Sequence, residues 1–295
     1  MNLLELIETS TARLTQAQVH FGHGTTNAQD EAAWLVLWQL GLPLDTELEG
    51  PQSQAQRAVT ATEQEQCAAL IETRIATRKP AAYLTREAWL QGVSFYVDER
   101  VIVPRSLIAE LLVDGSLDYW LSDQTHAVLD MCTGNGSLAI IAAMVYPETV
   151  VDGVDISADA LAVASINVER HQLQDRVTLF AGDGLAAAPR SYDLILCNPP
   201  YVNAGSMAAL PPEYQAEPAI ALDGNTAGSA DGMDFIRSFL AAAPRHMNEG
   251  AVLVLEIGHE RPFFEAAFPD LAAIWLETSA GEDQVLLLTR DALLA

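Results

Sequence analysis

From His126 onward, short aliphatic runs alternate with helical segments, and this alternation limits the fold more than any other feature of the sequence. Strands are expected near 126–130, 150–154, 176–180, 192–197, 251–257, 272–278 and 284–289, and helices near 137–145, 158–171, 232–247 and 261–267. Strands joined through helix-length connections pair in parallel, and the helices then cover both sheet faces. The pattern predicts an α/β, doubly wound, seven-stranded sheet. The segment from Val202 to about Ala230 is long, rich in Ala, Gly and Pro and weakly periodic, which predicts a loop over a site.

The chain has 295 residues, enough for a large domain and a smaller one. Apolar positions at Leu3, Ile7 and Leu14, a block from Ala32 to Leu40, and a set at Ala68, Ala69, Ile71 and Ile75 predict three N-terminal helices. Thr60 or Thr62 would cap the third, and Pro80 ends it. Ala88–Leu90 and Val93–Val97, split by Gln91-Gly92, predict a hairpin bridging to the sheet. Ser106 is placed to cap a helix from Leu107 to about Val113. Domain boundaries follow at 1–84 for the helical part, 85–104 for hairpin and linker, and 105–295 for the sheet domain.

Only Cys67, Cys132 and Cys197 are present, with no metal-ligand spacing, so neither a disulfide framework nor a metal site is expected. No apolar run reaches the roughly 20 residues of a membrane-spanning helix, and the first residues do not form a leader. A cytoplasmic location is expected. Forty acidic residues against 15 basic ones give a formal net charge of −25, which would repel a nucleic-acid backbone. No direct nucleic-acid or membrane partner is expected, whereas a basic protein would be attracted.

The first sheet strand runs into Asp130-Met131-Cys132-Thr133-Gly134-Asn135-Gly136. Its glycines permit a tight turn and let a ligand approach bare backbone where a helix begins. Gly134-x-Gly136-x-x-Ala139 also satisfies a dinucleotide fingerprint, with Asp155 lying 19 residues past Gly136, so a nicotinamide oxidoreductase is one reading. Three carboxylates favour S-adenosylmethionine instead. Asp130 would repel a pyrophosphate but welcome a cationic amino acid, Asp155 can accept both ribose hydroxyls, and Asp183 can accept from the adenine amino group. All three follow strand ends, where ligands of open α/β sheets bind.

Tyr192–Cys197 is a strand leading into Asn198-Pro199-Pro200-Tyr201. This turn resembles the one in amino methyltransferases that act on planar amides or adenine. Amide resonance makes the target nitrogen a poor nucleophile, so orientation must compensate. The Asn198 oxygen and the Pro199 carbonyl can each accept one N–H of the target, and Tyr201 would pack on its flat group.

Glu87–Ile108, with Val103-Pro104-Arg105-Ser106-Leu107-Ile108 at its end, resembles the protein-(glutamine-N5) methyltransferases, and within them the branch acting on large-subunit ribosomal protein three. The release-factor branch tends to follow its Pro-Arg with Pro-Asp-Thr-Glu, where this chain has Ser106-Leu107-Ile108-Ala109; Glu277 also fits the ribosomal branch. Cys132 departs from the glycine common at that position. The resemblance implies a Rossmann-like methyltransferase sheet, a helical substrate-recognition domain and methyl transfer from S-adenosylmethionine, giving S-adenosylhomocysteine. It implies Asn198, Pro199 and Tyr201 as catalytic residues. It implies Asp130, Cys132, Thr133, Gly134, Asn135, Gly136, Asp155, Ile156, Asp183, Gly184 and Asn198 at the cofactor. For the substrate it implies Arg105 and the turn from Asn198 through Pro200 to Tyr201. The implied partner is a basic ribosomal protein met before assembly; a release factor or an adenine base is the alternative target.

Overall fold

A computed structural model describes residues 1–295. They divide into two compact units, Met1–Glu87 with Pro211–Ala216, and Ala88–Leu210 with Glu217–Ala295.

The first unit is helical: α1 (Leu3–Gln16), α2 (Ala28–Gln39), α3 (Ala61–Thr77) and the short α4 (Ala81–Thr85). Side chains satisfy the free N–H groups at the helix starts. Asn2 with Glu5, and Thr60 with Glu63, form reciprocal capping pairs, while Asn27 accepts from Gln29 and Asp30. On α3 the buried face is Cys67, Ile71 and Arg74, so of the expected set Ala68, Ala69, Ile71 and Ile75 only Ile71 is buried. The stripe therefore carries a cation. Arg74 is fully buried, donating to Glu31 at 2.8 Å, to Glu213 at 3.4 Å and to the His20 carbonyl at 2.8 Å. Burial raises the Glu31 carboxyl above its usual range against the pull of Arg74. Glu213 arrives on the hexapeptide Pro211–Ala216, which the sequence assigns only to a long loop.

In the second unit, the hairpin strands β1 (Ala88–Leu90) and β2 (Val93–Phe95) pair antiparallel around Gln91 and Gly92, both at positive φ. That backbone is the tight hairpin turn predicted from Gln91-Gly92. Next come α5 (Ile108–Val113) and seven strands: β3 (Ala127–Met131), β4 (Val150–Asp155), β5 (Val177–Ala181), β6 (Tyr192–Cys197), β7 (Met247–Glu256), β8 (Ile274–Thr278) and β9 (Gly281–Thr289). They lie in the order β5-β4-β3-β6-β7-β9-β8, parallel except for β9, which runs antiparallel to both neighbours. The connecting helices are α6 (Ser137–Val145), α7 (Ala158–Arg170), α8 (Ala204–Ala209), α9 (Asp234–Ala242) and α10 (Arg261–Ala267), and α11 (Arg290–Leu294) closes the chain.

Three elements differ from expectation. The helix expected to reach residue 247 stops at Ala242, because Pro244 lies in a following single turn and lacks an N–H. Strand β7 instead starts at Met247, which pairs with Tyr192 across a register irregularity. The segment after Val202 contains α8 and two single helical turns, Tyr214–Ala216 and Ala219–Ala221.

The chain moves outward from β3 through β4 to β5, then returns to place β6 on the other side of β3. This reversal is a topological switch point, and it opens a crevice at the strand ends. Register pairs Met131 with Cys197, so the glycine turn after β3 and the proline turn after β6 leave the sheet side by side.

Replacing Arg74 with Ala is expected to lower stability by about 3–5 kcal/mol by stranding buried carboxylates. Arg13, in an exposed pair with Glu72, should cost less than about 1 kcal/mol when changed to Ala. Urea unfolding of the two variants measures the difference; equal losses would show that the buried triad adds nothing.

Candidate active site

A cavity of about 390 Å³ opens at the carboxyl ends of β3, β4 and β6. One wall is the turn after β3. There Cys132, Gly134 and Gly136 take positive φ of 60°, 56° and 81°. Glycine adopts such angles freely, whereas Cys132 does so under strain. Gly136 has a second constraint, since a Cβ there would come within 3.2 Å of Ala164 Cβ.

Two strand-end carboxylates hold this turn from inside. Asp130 Oδ2 accepts from Thr133 Oγ1 at 2.6 Å and from the Ala139 N–H at 2.9 Å, tying the turn to α6. Burial pushes the Asp130 carboxyl up to about 7, opposed by those two hydrogen bonds, with nearby Asp155 adding to the rise. Asp155 accepts from the Gly134 N–H at 2.9 Å and the Ser157 N–H at 2.8 Å, and burial raises it against these donors and the Ile156 N–H. Asn135 accepts from the Ser137 N–H, while its own Nδ2 is buried with no hydrogen-bond partner. From the far side, Asn167 donates to the Asn135 carbonyl at 2.9 Å and exchanges two hydrogen bonds with the Tyr96 backbone.

Of the residues expected around a cofactor, Asp130, Cys132, Thr133, Gly134 and Asn135 line the cavity, as do Asp155, Ile156, Asp183, Gly184 and Asn198. Gly136 stands behind them as the residue preceding α6. Ile156 is 58% exposed, leaving an apolar surface at the end of β4.

The turn after β6 divides between cavity and core. Asn198 and Pro200 line the cavity; Pro199 is buried outside the lining. Tyr201, expected against the flat group of a target, also lies outside the lining, with its ring on the bare Cα of Gly258. A Cβ on Gly258 would sit 2.8 Å from Cε2 and 2.9 Å from the hydroxyl of Tyr201. Burial raises the Tyr201 phenol, and Glu256 nearby adds to the rise. Behind the turn, Gly232 packs so closely on the Tyr201 carbonyl that a Cβ would approach to 2.1 Å. Asn225 locks this contact, donating to the Val202 carbonyl and accepting from the Gly232 N–H.

Arg105, expected at the substrate, lines the cavity and forks onto Glu217 at 2.6 and 2.8 Å. Ser106 Oγ accepts the Ile108 N–H at 3.3 Å at the start of the helix, as expected of a cap, and its hydroxyl proton is used as well. It donates to Glu256 at 2.5 Å, and Glu256 also accepts the Leu107 N–H at 2.9 Å, so a carboxylate from the end of β7 serves the start of α5. Burial pushes Glu256 up to about 7, against these hydrogen bonds and Arg105. Glu256, Glu217, Asn167 and Gly258 are absent from the sequence reading. Only Glu256 carried a usable signal, a lone acid closing the apolar run Ala251–Leu255 much as Asp130 and Asp155 close theirs.

The Methyltransferase small domain family matches residues 110–210. A ribosomal protein uL3 glutamine methyltransferase of Bordetella pertussis is 54% identical, across 99% of this chain and 96% of that protein. Proteins of the same name from Burkholderia pseudomallei and Neisseria gonorrhoeae are 51% and 47% identical, across 96% and 98% of this chain and 93% and 95% of theirs.

The Tyr201–Gly258 contact predicts a difference between two glycine variants. Gly250, at φ 76° with open space around it, should lose about 1 kcal/mol as Ala through backbone strain alone. Gly258→Ala should lose about 1–3 kcal/mol more, because the ring must also move. Denaturant unfolding compares the two, and equal losses would mean that the ring is not held on Gly258.

Proposed function

We propose, from the premise that this chain belongs to the family of ribosomal protein uL3 glutamine methyltransferases, that it transfers a methyl group from S-adenosylmethionine to the side-chain amide nitrogen of a glutamine in that ribosomal protein. The observation that carries this reading is the shared cavity: Asn198 and Pro200 of the turn after β6 line the same space as the carboxylate-held glycine turn after β3.

The residues present fit the cofactor. Asn135 Nδ2 is a buried donor lacking a partner in the chain, suited to a carboxylate acceptor. Asp155 gives one hydrogen bond's worth of each oxygen to the backbone and keeps further acceptor capacity for ribose hydroxyls. We assign the amino-acid end to Asp130 and Thr133–Gly136, and the adenine to Ile156, Asp183 and Gly184. When bound, S-adenosylmethionine supplies an electrophilic methyl carbon on a sulfonium and leaves as S-adenosylhomocysteine.

The chain's own part is orientation. The Asn198 side-chain oxygen and the Pro199 carbonyl accept the two N–H groups of the target amide, which turns its lone pair toward the methyl and stabilises positive charge developing on nitrogen. The two prolines fix φ, so the acceptors do not have to be ordered during the reaction. Tyr201 contributes by bracing the turn on Gly258. The amide nitrogen becomes more acidic once alkylated and can lose its proton to water, so no dedicated base is needed.

A net charge of −25 would draw in a basic ribosomal protein before assembly covers its target, and would disfavour direct contact with nucleic acid.

Two measurements test this reading. Purified protein with methyl-labelled cofactor should label a glutamine of unassembled uL3 and leave release factor unlabelled, mapped by fragment mass. Asn198→Ala should lower transfer by at least about 100-fold, as for loss of one aligned acceptor, with cofactor affinity changed by less than about threefold; a fully active variant would contradict the role given to Asn198.

The raised Asp130 carboxyl gives a pH dependence. An acid lifted to about 7 stays largely protonated below that pH, so the negative charge that attracts the cofactor's ammonium appears only as pH rises through that value. Cofactor affinity should therefore increase between about pH 6 and pH 8, and Asp130→Asn should flatten the dependence. Calorimetry across this range checks it, and an affinity that falls with rising pH would refute the assignment.

A further inference from the structure

Two segments outside the main sheet border the same cavity. One is the strap Arg100–Ser106, which has no strand or helix of its own; the other is the stretch after Glu217, whose Pro218, Ile220, Ala221 and Thr226 face the same space. The strap makes no sheet pairing, and the second stretch makes only one bridge, from Asp223 to Val202. The Glu217 carboxylate joins them. Glu217 Oε1 accepts the Val103 N–H at 2.9 Å and Arg105 Nη1 at 2.6 Å, and Oε2 accepts Arg105 Nη2 at 2.8 Å. The Glu217 side chain is fully buried, while that of Arg105 keeps 27% of its surface exposed. Arg105 Nη1 also donates to the Val103 carbonyl at 3.1 Å, closing the strap on itself.

We infer that Glu217 is a positioning residue for the cofactor pocket, fastening the Val103–Arg105 strap to the segment that follows it so that both walls stand at a fixed separation. The inference rests on the methyltransferase reading above and adds to it a residue that does not touch the reacting atoms.

Three features separate this from an ordinary surface ion pair. The acceptor is buried, so its hydrogen bonds are not shared with water. The contact is a two-pronged fork, which fixes angle as well as distance. It also takes up a backbone N–H, so strap backbone and strap side chain are fixed by one group. The other end of the strap is independently secured, with Ser106 and Leu107 on Glu256. Loss of Glu217 therefore removes the acceptor that fixes Arg105 and the Val103 N–H while leaving the junction with α5 in place.

Glu217→Gln tests the assignment, because the amide keeps size and one acceptor but turns an N–H₂ toward the guanidinium. Calorimetry with S-adenosylhomocysteine, on the full chain, should show binding weakened about tenfold. In turnover, KM for the cofactor should rise while KM for the ribosomal protein stays within about twofold. The double variant Arg105→Gln with Glu217→Gln should be no weaker than the worse single variant, since both changes open the same clasp. Wild-type affinity in a folded Glu217→Gln, or losses that multiply in the double variant, would overturn the inference.

A measurement on the wild-type protein guards against a variant that fails to fold. S-adenosylhomocysteine should slow hydrogen exchange together in Val103–Leu107 and Pro218–Thr226. Slowing confined to the glycine turn and strand ends would overturn the inference. Failure of the wild-type protein to bind S-adenosylhomocysteine at all would instead remove the functional reading beneath it, so the two failures are distinguishable.

Discussion

The site depends on the parallel pairing of β3 with β6, and on the register that sets Met131 opposite Cys197. Side-chain period in a strand is two residues, so a slip by one would carry Leu129 or Ile195 to the opposite face of the sheet, force both layers to repack and shift the two turns relative to each other. Because both strands are buried on both faces, such a slip is costly. Core packing thus fixes the separation between the glycine turn after β3 and the proline turn after β6.

Around that junction, charged groups stand where hydrophobic residues would be cheaper. Asp130, Asp155 and Glu256 close β3, β4 and β7, and burial raises the carboxyl of each. Each binds backbone N–H groups of segments outside the sheet: Ala139 for Asp130, Gly134 and Ser157 for Asp155, Leu107 for Glu256. Irregular backbone cannot satisfy itself as a helix or sheet does, and these carboxylates supply the missing acceptors. The desolvation cost is accepted in return for turns held in one conformation before any ligand arrives.

Much of this was legible in the sequence because it follows local rules. The alternation of apolar runs and helices gave the seven strands, helices α6 and α10 fell at their expected limits, and Gln91-Gly92 marked the hairpin. The glycine turn and Asn198-Pro199-Pro200-Tyr201 were recognisable because their backbone demands restrict residue choice. What stayed hidden depends on partners far along the chain. Glu213 and Glu217 fall in a segment that the sequence marks only as a loop, yet one meets Arg74 from 139 residues away and the other meets Arg105 from 112. Ser106 accepts the Ile108 N–H from its expected cap position, and its second bond, to a carboxylate 150 residues later, is the part the sequence did not mark. Gly258 carries no mark in the sequence, because its φ of 53° and the ring of Tyr201 above it are tertiary facts.

The claim beneath all of this is that a rigid corner after β6 orients a sluggish amide nitrogen toward a cofactor held by the turn after β3. Crystals grown with S-adenosylhomocysteine and a glutamine-bearing segment of the ribosomal protein test it most directly. The account predicts the target amide donating one hydrogen bond to the Asn198 side-chain oxygen and one to the Pro199 carbonyl, with its nitrogen facing the cofactor sulfur. A glutamine bound elsewhere, or an Asn198 side chain pointing away from that sulfur, would contradict it.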